Sequence, residues 1–175
     1  VNRNTVARLA NDFDGRIIFM STCSVYGAAE GILDEESPLS PLSVYAESKL
    51  EAEECLKDCN AMIFRLGTLF GIGDLFSRIR MDLVVNVLTA RAFTRGQVKV
   101  FGGEQYRPLL HVRDVAEAIT QNIDTDHKGI YNLHADNMKI GDLADHLKSL
   151  FPDLKIEKTE MKFEDSRNYR VSSQK

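Results

Sequence analysis

Two short apolar runs, Arg16–Thr22 (Arg-Ile-Ile-Phe-Met-Ser-Thr) and Ala61–Leu66 (Ala-Met-Ile-Phe-Arg-Leu), bracket a loop and a segment patterned as a helix. Neither run alternates apolar with polar residues as a half-wetted strand does, so each reads as a strand buried on both faces. The order strand, loop, helix, strand then predicts an α/β arrangement with the two strands parallel.

The rest of the chain continues in the same manner. Val6, Leu9 and Ala10 recur at helical spacing and predict a helix over residues 2–11. Polar sequence marked by Gly and Pro from Gly27 to Ser43 reads as a loop, and Ser43 is placed to cap a helix from Val44 to about Asp58. Further helices are expected over Met81–Phe93, Val112–Ile123 and Ile140–Phe151, and further strands over Val98–Phe101, Pro108–Val112 and Gly129–Leu133. No repeat or linker separates the halves.

Composition removes several function classes. The 26 acidic residues outnumber the 22 Lys and Arg, and no basic run offers a footprint for nucleic acid. No apolar stretch approaches the ~20 residues that cross a bilayer, and the first residues lack the apolar block of a secretory signal. No membrane partner and a cytoplasmic location are therefore expected. The three cysteines, Cys23, Cys55 and Cys59, form no Cys-x-x-Cys pair, so neither a disulfide framework nor a metal site is expected.

Tyr45 and Lys49 stand four residues apart in the first complete helix, so their side chains leave one face a turn apart. An ammonium near a phenol favours the phenolate and would bring its pKa down from about 10 into a range useful for proton exchange. Thr22 ends the first strand, where open parallel sheets place their ligand crevice, and its hydroxyl could hold a substrate oxygen. Alone, a Tyr-x-x-x-Lys pair marks only a helix face; its order behind Ser21-Thr22 and Val25-Tyr26-Gly27 gives it meaning.

Ser21-Thr22-Cys23-Ser24-Val25-Tyr26-Gly27 and Tyr45-Ala46-Glu47-Ser48-Lys49 resemble the active-site strand and helix of the extended short-chain dehydrogenase/reductases, which include nucleotide-sugar epimerases and dehydratases. The resemblance continues through Arg65-Leu66-Gly67, Phe101–Arg107 and His111–Ala116. It implies part of a doubly wound Rossmann-type sheet, with residues 1–70 as the second half of a dinucleotide-binding domain. Residues 71–175 would be mainly a substrate-binding region with some returning Rossmann elements. It implies Tyr45 as acid/base, Lys49 as its pKa partner and, with Tyr45, as a cofactor contact, and Thr22 as the hydroxyl partner. Arg107 would meet the substrate diphosphate, with Asn86 and Arg167 as further substrate contacts. The implied cofactor is NAD, with NADP left open. The implied partners are a nucleotide sugar and a second copy of the chain in a homodimer, and the implied reaction is oxidation to a keto-sugar and re-reduction.

Two departures qualify that picture. The Gly-x-x-Gly-x-x-Gly turn that holds the pyrophosphate in this family is not in the sequence, so the chain reads as the later portion of a longer protein. Alternatives are then a catalytically inactive nucleotide-binding or regulatory protein, or a family reductase or dehydratase acting on another carbonyl. Moreover, 4,6-dehydratases of the family carry an Asp-Glu pair after the strand-end Thr, where Cys23 and Ser24 stand here, so epimerisation or keto reduction is favoured over water elimination. Cys23 is expected to be a packed residue, and His111 to be structural.

Overall fold

The computed structural model describes residues 2–74, 76, 78–160 and 168–175. Its centre is a parallel sheet of three strands, β1 (Ile17–Thr22), β3 (Ala61–Leu66) and β7 (Gly129–Leu133), with β3 in the middle. All six residues of β3 are buried, five of them apolar and the sixth Arg65. Alternate residues serve opposite faces. Ile17, Phe19, Ala61, Ile63 and Ile130 pack with Val6 of α1 (Asn2–Asp12) and Ala52 and Leu56 of α2 (Val44–Cys55). Ile18, Met20, Met62, Phe64, Leu66, Tyr131 and Leu133 pack instead with Val115, Ala118 and Ile119 of α4 (Val112–Asn122). The expected doubly wound Rossmann-type layering is thus present, and β7 returns to it from the second half of the chain.

A mixed sheet adjoins this core: β4 (Thr68–Phe70) runs parallel to β6 (Tyr106–His111), and β8 (Asp136–Lys139) runs antiparallel to it. The chain passes from β3 into β4 at Gly67, whose N–H donates to Leu133 O at 2.9 Å. A Cβ at Gly67 would meet the Pro108 carbonyl oxygen at 2.6 Å, so this close crossing of two sheets requires glycine. Beyond it, β5 (Gln97–Phe101) and β9 (Lys155–Thr159) pair in parallel and pack with α3 (Val84–Arg95) and α5 (Ile140–Leu150) around Leu88, Val98, Val100, Leu143, Leu147 and Leu154. Among the described residues, no helix is long and apolar enough to cross a membrane.

Several expected boundaries move. The stretch read as a loop from Gly27 to Ser43 contains β2 (Ala28–Leu33), paired in parallel with β10 (Asn168–Val171). Only Leu33 of β2 is buried and Gly31 interrupts it, so its sequence carries neither strand pattern. Helix α2 stops at Cys55 instead of Asp58, and α3 starts at Val84 instead of Met81 because Leu83 is extended. The strand read as Pro108–Val112 begins two residues earlier and gives up Val112 to α4, with His111 as N-cap. Ser43 does cap α2, its hydroxyl accepting from Ala46 N–H at 3.2 Å.

One buried ion pair joins these layers. Arg65 of β3 and Glu53 of α2 have side chains 2% exposed, with Nη2 to Oε2 at 2.8 Å and Nε within 3.3 Å of both carboxylate oxygens. Ser21 Oγ of β1 donates to Glu53, and Arg65 Nη1 donates to Tyr26 Oη at 3.0 Å. Burial alone would lower the Arg65 pKa, but the hydrogen bonds and charge of Glu53 outweigh it and hold it above its ordinary value. Removing one partner leaves the other as an uncompensated buried charge, which costs about 3–5 kcal/mol. Urea unfolding of Glu53→Ala or Arg65→Met should show a loss of that order, with Glu53→Leu/Arg65→Met recovering much of it. Single variants as stable as the parent would contradict this role.

Candidate active site

β1 delivers Thr22 to the carboxyl edge of the central sheet, and a 3-10 turn (Cys23–Tyr26) follows at once. Thr22 caps that turn: its Oγ1 accepts from Ser24 N–H at 3.2 Å and lies 2.5 Å from Ser24 Oγ. The turn closes at Gly27, with φ 73° and its N–H bonded to Ser24 O; a Cβ there would run into the Ser40 carbonyl. Cys23 is fully buried and its thiol donates to Arg65 O at 3.0 Å. Burial drives its pKa far up against the pull of Arg65, so it is the packed residue expected and no acid/base. Tyr26, 1% exposed, is likewise pushed up to about 12 by burial and donates to Asn132 Oδ1 at 2.8 Å.

The other wall is the amino-terminal half of α2. Tyr45 is 55% exposed and lines a crevice of about 600 Å³ together with Ser21, Thr22 and Ser24. Lys49, one turn on, is half-buried and turned toward β1: its Nζ donates to Met20 O at 2.7 Å and lies 4.7 Å from the centre of the Phe19 ring. The expected lowering of the Tyr45 pKa by Lys49 is not found. Desolvation raises the phenol above its ordinary value, and the opposing charge comes from Arg80. The Lys49 ammonium is turned to the Met20 carbonyl, while Arg80 reaches the crevice from the segment before α3. Lys49 itself is lowered by burial, with Glu53 pulling the other way.

The crevice continues over Gly67 and Thr68 to α3, β5, β6 and Tyr169 of β10. Four cations, Arg80, Arg91, Lys99 and Arg107, line it with one acid, Asp82, among the described residues. That surplus suits a dianionic ligand in a concave, partly apolar setting. Arg107 is 6% exposed and held from behind by Nη1 to Tyr106 O at 2.8 Å. Arg80 is gripped by Asp82 through two bonds, 2.8 and 2.6 Å, and that contact holds the Asp82 carboxyl down near about 2.

Of the residues picked from sequence, Thr22, Tyr45 and Arg107 share this lining, with Lys49 just behind it. Asn86 does not line it; its amide ties the loop before α3, accepting from Gly71 N–H and donating to Arg80 O, both at 3.0 Å. Arg167 lies outside the described residues. His111, expected to be structural, caps α4, its Nδ1 accepting from Arg113 N–H at 3.2 Å. Sequence reasoning missed Arg80, Arg91 and Lys99, and it noted Ser24 only as standing where dehydratases of the family carry a carboxylate, without its contact to Thr22. The alternation Arg78-Ile79-Arg80 before a helix was the available signal for Arg80.

The sequence profile of the NAD dependent epimerase/dehydratase family matches residues 3–133, and the chain belongs to that family. An uncharacterized UDP-glucose epimerase of Bacillus subtilis (strain 168), YtcB, is 30% identical over 162 residues, which are 85% of this chain and 47% of that protein. The UDP-glucose 4-epimerase of Azospirillum brasilense is 29% identical over 123 residues, covering 59% of this chain and 35% of that protein. The chain thus spans about half the length, or less, of the curated relatives it matches. Among solved structures, the NAD-dependent NDP-hexosamine 5,6-dehydratase TunA of tunicamycin biosynthesis superposes with a TM-score of 0.84 at 24% identity, covering 99% of this chain and 59% of that one. UDP-glucuronic acid 4-epimerase from Bacillus cereus, in complex with UDP-glucuronic acid and NAD, superposes at 0.77 and 21% identity, covering 98% and 57%. At these identities the superpositions establish the fold.

The charge on Tyr45 is open to direct measurement. Arg80→Ala removes the attraction that opposes desolvation, so the phenol should titrate at still higher pH than in the parent, read from the ring carbon of labelled tyrosine by NMR. A Tyr45 titration that stays put or moves down would show that Arg80 does not act on it.

Proposed function

We propose that this chain forms the catalytic and substrate-binding part of an NAD-dependent nucleotide-sugar epimerase. The observation that carries the reading is that Thr22 and Tyr45 line one crevice with Arg107, so hydroxyl chemistry and a diphosphate anchor share a single concave surface. Half the length of its relatives is represented here, so the activity is that of the whole protein.

The residues on this surface divide the work. Arg107, pinned by Tyr106, would hold the diphosphate with a planar fork of donors. Tyr45, half-exposed into the crevice, would take the proton of the sugar hydroxyl being oxidised and give it back on reduction. Thr22 would hold the same oxygen. NAD, when bound, supplies the acceptor that takes hydride from the sugar carbon and returns it. Lys49 fits a ribose contact: Met20 takes one of its three N–H donors and fixes the ammonium at the carboxyl end of β1, where such sheets present ligands. A ligand that brought Tyr45 and Lys49 into one hydrogen-bond set would also counter the burial that raises the phenol above its ordinary value.

Epimerisation is favoured over water elimination because no carboxylic acid follows Thr22. Cys23 is sealed in the core with its thiol driven protonated, and Ser24 is a hydroxyl. In the full-length protein supplied with NAD and UDP-glucose, Tyr45→Phe should lower turnover by about a hundred-fold or more while leaving UDP binding intact. Undiminished turnover would refute the assignment.

A further inference from the structure

We infer that Ser24 is a positioning residue of this site: its hydroxyl and its backbone N–H together fill the acceptor positions of Thr22 Oγ1, which commits the Thr22 proton to an oxygen in the crevice. This inference rests on the sugar-oxidation reading above and deepens it.

A threonine hydroxyl has one proton and two lone pairs, and the proton rotates to suit its surroundings. Ser24 N–H donates to Thr22 Oγ1 at 3.2 Å, and the two hydroxyl oxygens lie 2.5 Å apart, a contact in which either can donate; Ser24 is assigned here as the donor. Ser24 is 6% exposed, and its carbonyl accepts the Gly27 N–H that closes the turn. With Ser24 donating, Thr22 has nothing left to accept with and must donate outward.

The chemistry selects that direction. A sugar hydroxyl poised to lose its proton to Tyr45 can accept from Thr22. Once it has become a ketone oxygen, it has only lone pairs and requires donors. A Thr22 fixed as donor therefore serves both ends of the half-reaction without reorganising, which is how preorganised donors lower a barrier. Were Thr22 to donate to Ser24 instead, the ketone oxygen would lose that partner. The cavity-lining hydroxyl next to Thr22 is thus assigned a role that acts wholly through Thr22.

The test is a double-mutant cycle in the full-length protein, assayed with NAD and UDP-glucose and with UDP as a non-reacting ligand. Ser24→Ala should lower kcat by about ten-fold, the scale of one misdirected hydrogen bond, with KM for UDP-glucose and Kd for UDP unchanged. Thr22→Ala/Ser24→Ala should be no slower than Thr22→Ala if Ser24, although it lines the crevice, acts on the reaction only through Thr22. Wild-type kcat in Ser24→Ala, or losses that multiply in the double variant, overturn the inference. Tyr45→Phe run alongside separates the two levels: full turnover there overturns the sugar-oxidation reading and this inference with it, whereas loss there beside full activity in Ser24→Ala overturns the role of Ser24 alone.

Discussion

The structure depends on a guanidinium placed inside a strand that is otherwise apolar. Arg65 sits in β3, where all neighbours are buried, and a charge in that position persists only if every donor is answered. Glu53 answers two of its nitrogens, while Tyr26 and the Glu35 backbone answer the third. The network extends through Ser21 to β1, through Tyr26 to Asn132 of β7, and through Glu35 Oε1 to the Asn132 N–H. Helix α2 is thereby fixed in register against the carboxyl ends of the sheet strands. Because Tyr45 and Lys49 ride on α2 while Thr22 ends β1, the geometry between phenol, amine and hydroxyl is set by this pair, which itself stays out of the crevice.

Hydroxyls line one edge of the crevice and cations the other. On the sheet side, Ser21, Thr22 and Ser24 are held by short bonds within the turn and to Glu53. On the far side stand Arg80, Arg91, Lys99 and Arg107, two of them already balanced by acids: Arg80 by Asp82, and Lys99 by Glu157 at 3.0 Å. Such exposed pairs contribute little to stability. A polyanionic ligand would enter over the cations and present its neutral end to the hydroxyls.

The parts of the fold legible in the sequence were those whose reasons are local. β1 and β3 announce themselves because burial on both faces leaves continuous apolar runs, and Ser43 marks the start of α2 by its capping chemistry. β2 and β10 are invisible alone, since their pairing spans most of the chain and β2 buries a single side chain. Tyr45, Lys49 and Thr22 could be picked out by order and spacing. The electrostatics among them could not, because the field at Tyr45 comes from Arg80, brought over by the segment ahead of α3. In the sequence Glu53 is one of four glutamates on α2; only its place on the inward face with Ala46 and Ala52 distinguishes it, and that face is defined by tertiary packing.

Convergence of Thr22 and Tyr45 on one reacting oxygen is the claim on which the functional account turns. A crystal structure of the full-length protein with NAD and a nucleotide sugar measures it most directly. The account predicts one sugar oxygen within hydrogen-bond reach of both Thr22 Oγ1 and Tyr45 Oη, with the diphosphate against Arg107. A sugar ring bound away from α2, or a Tyr45 turned out of the crevice in that complex, would contradict it.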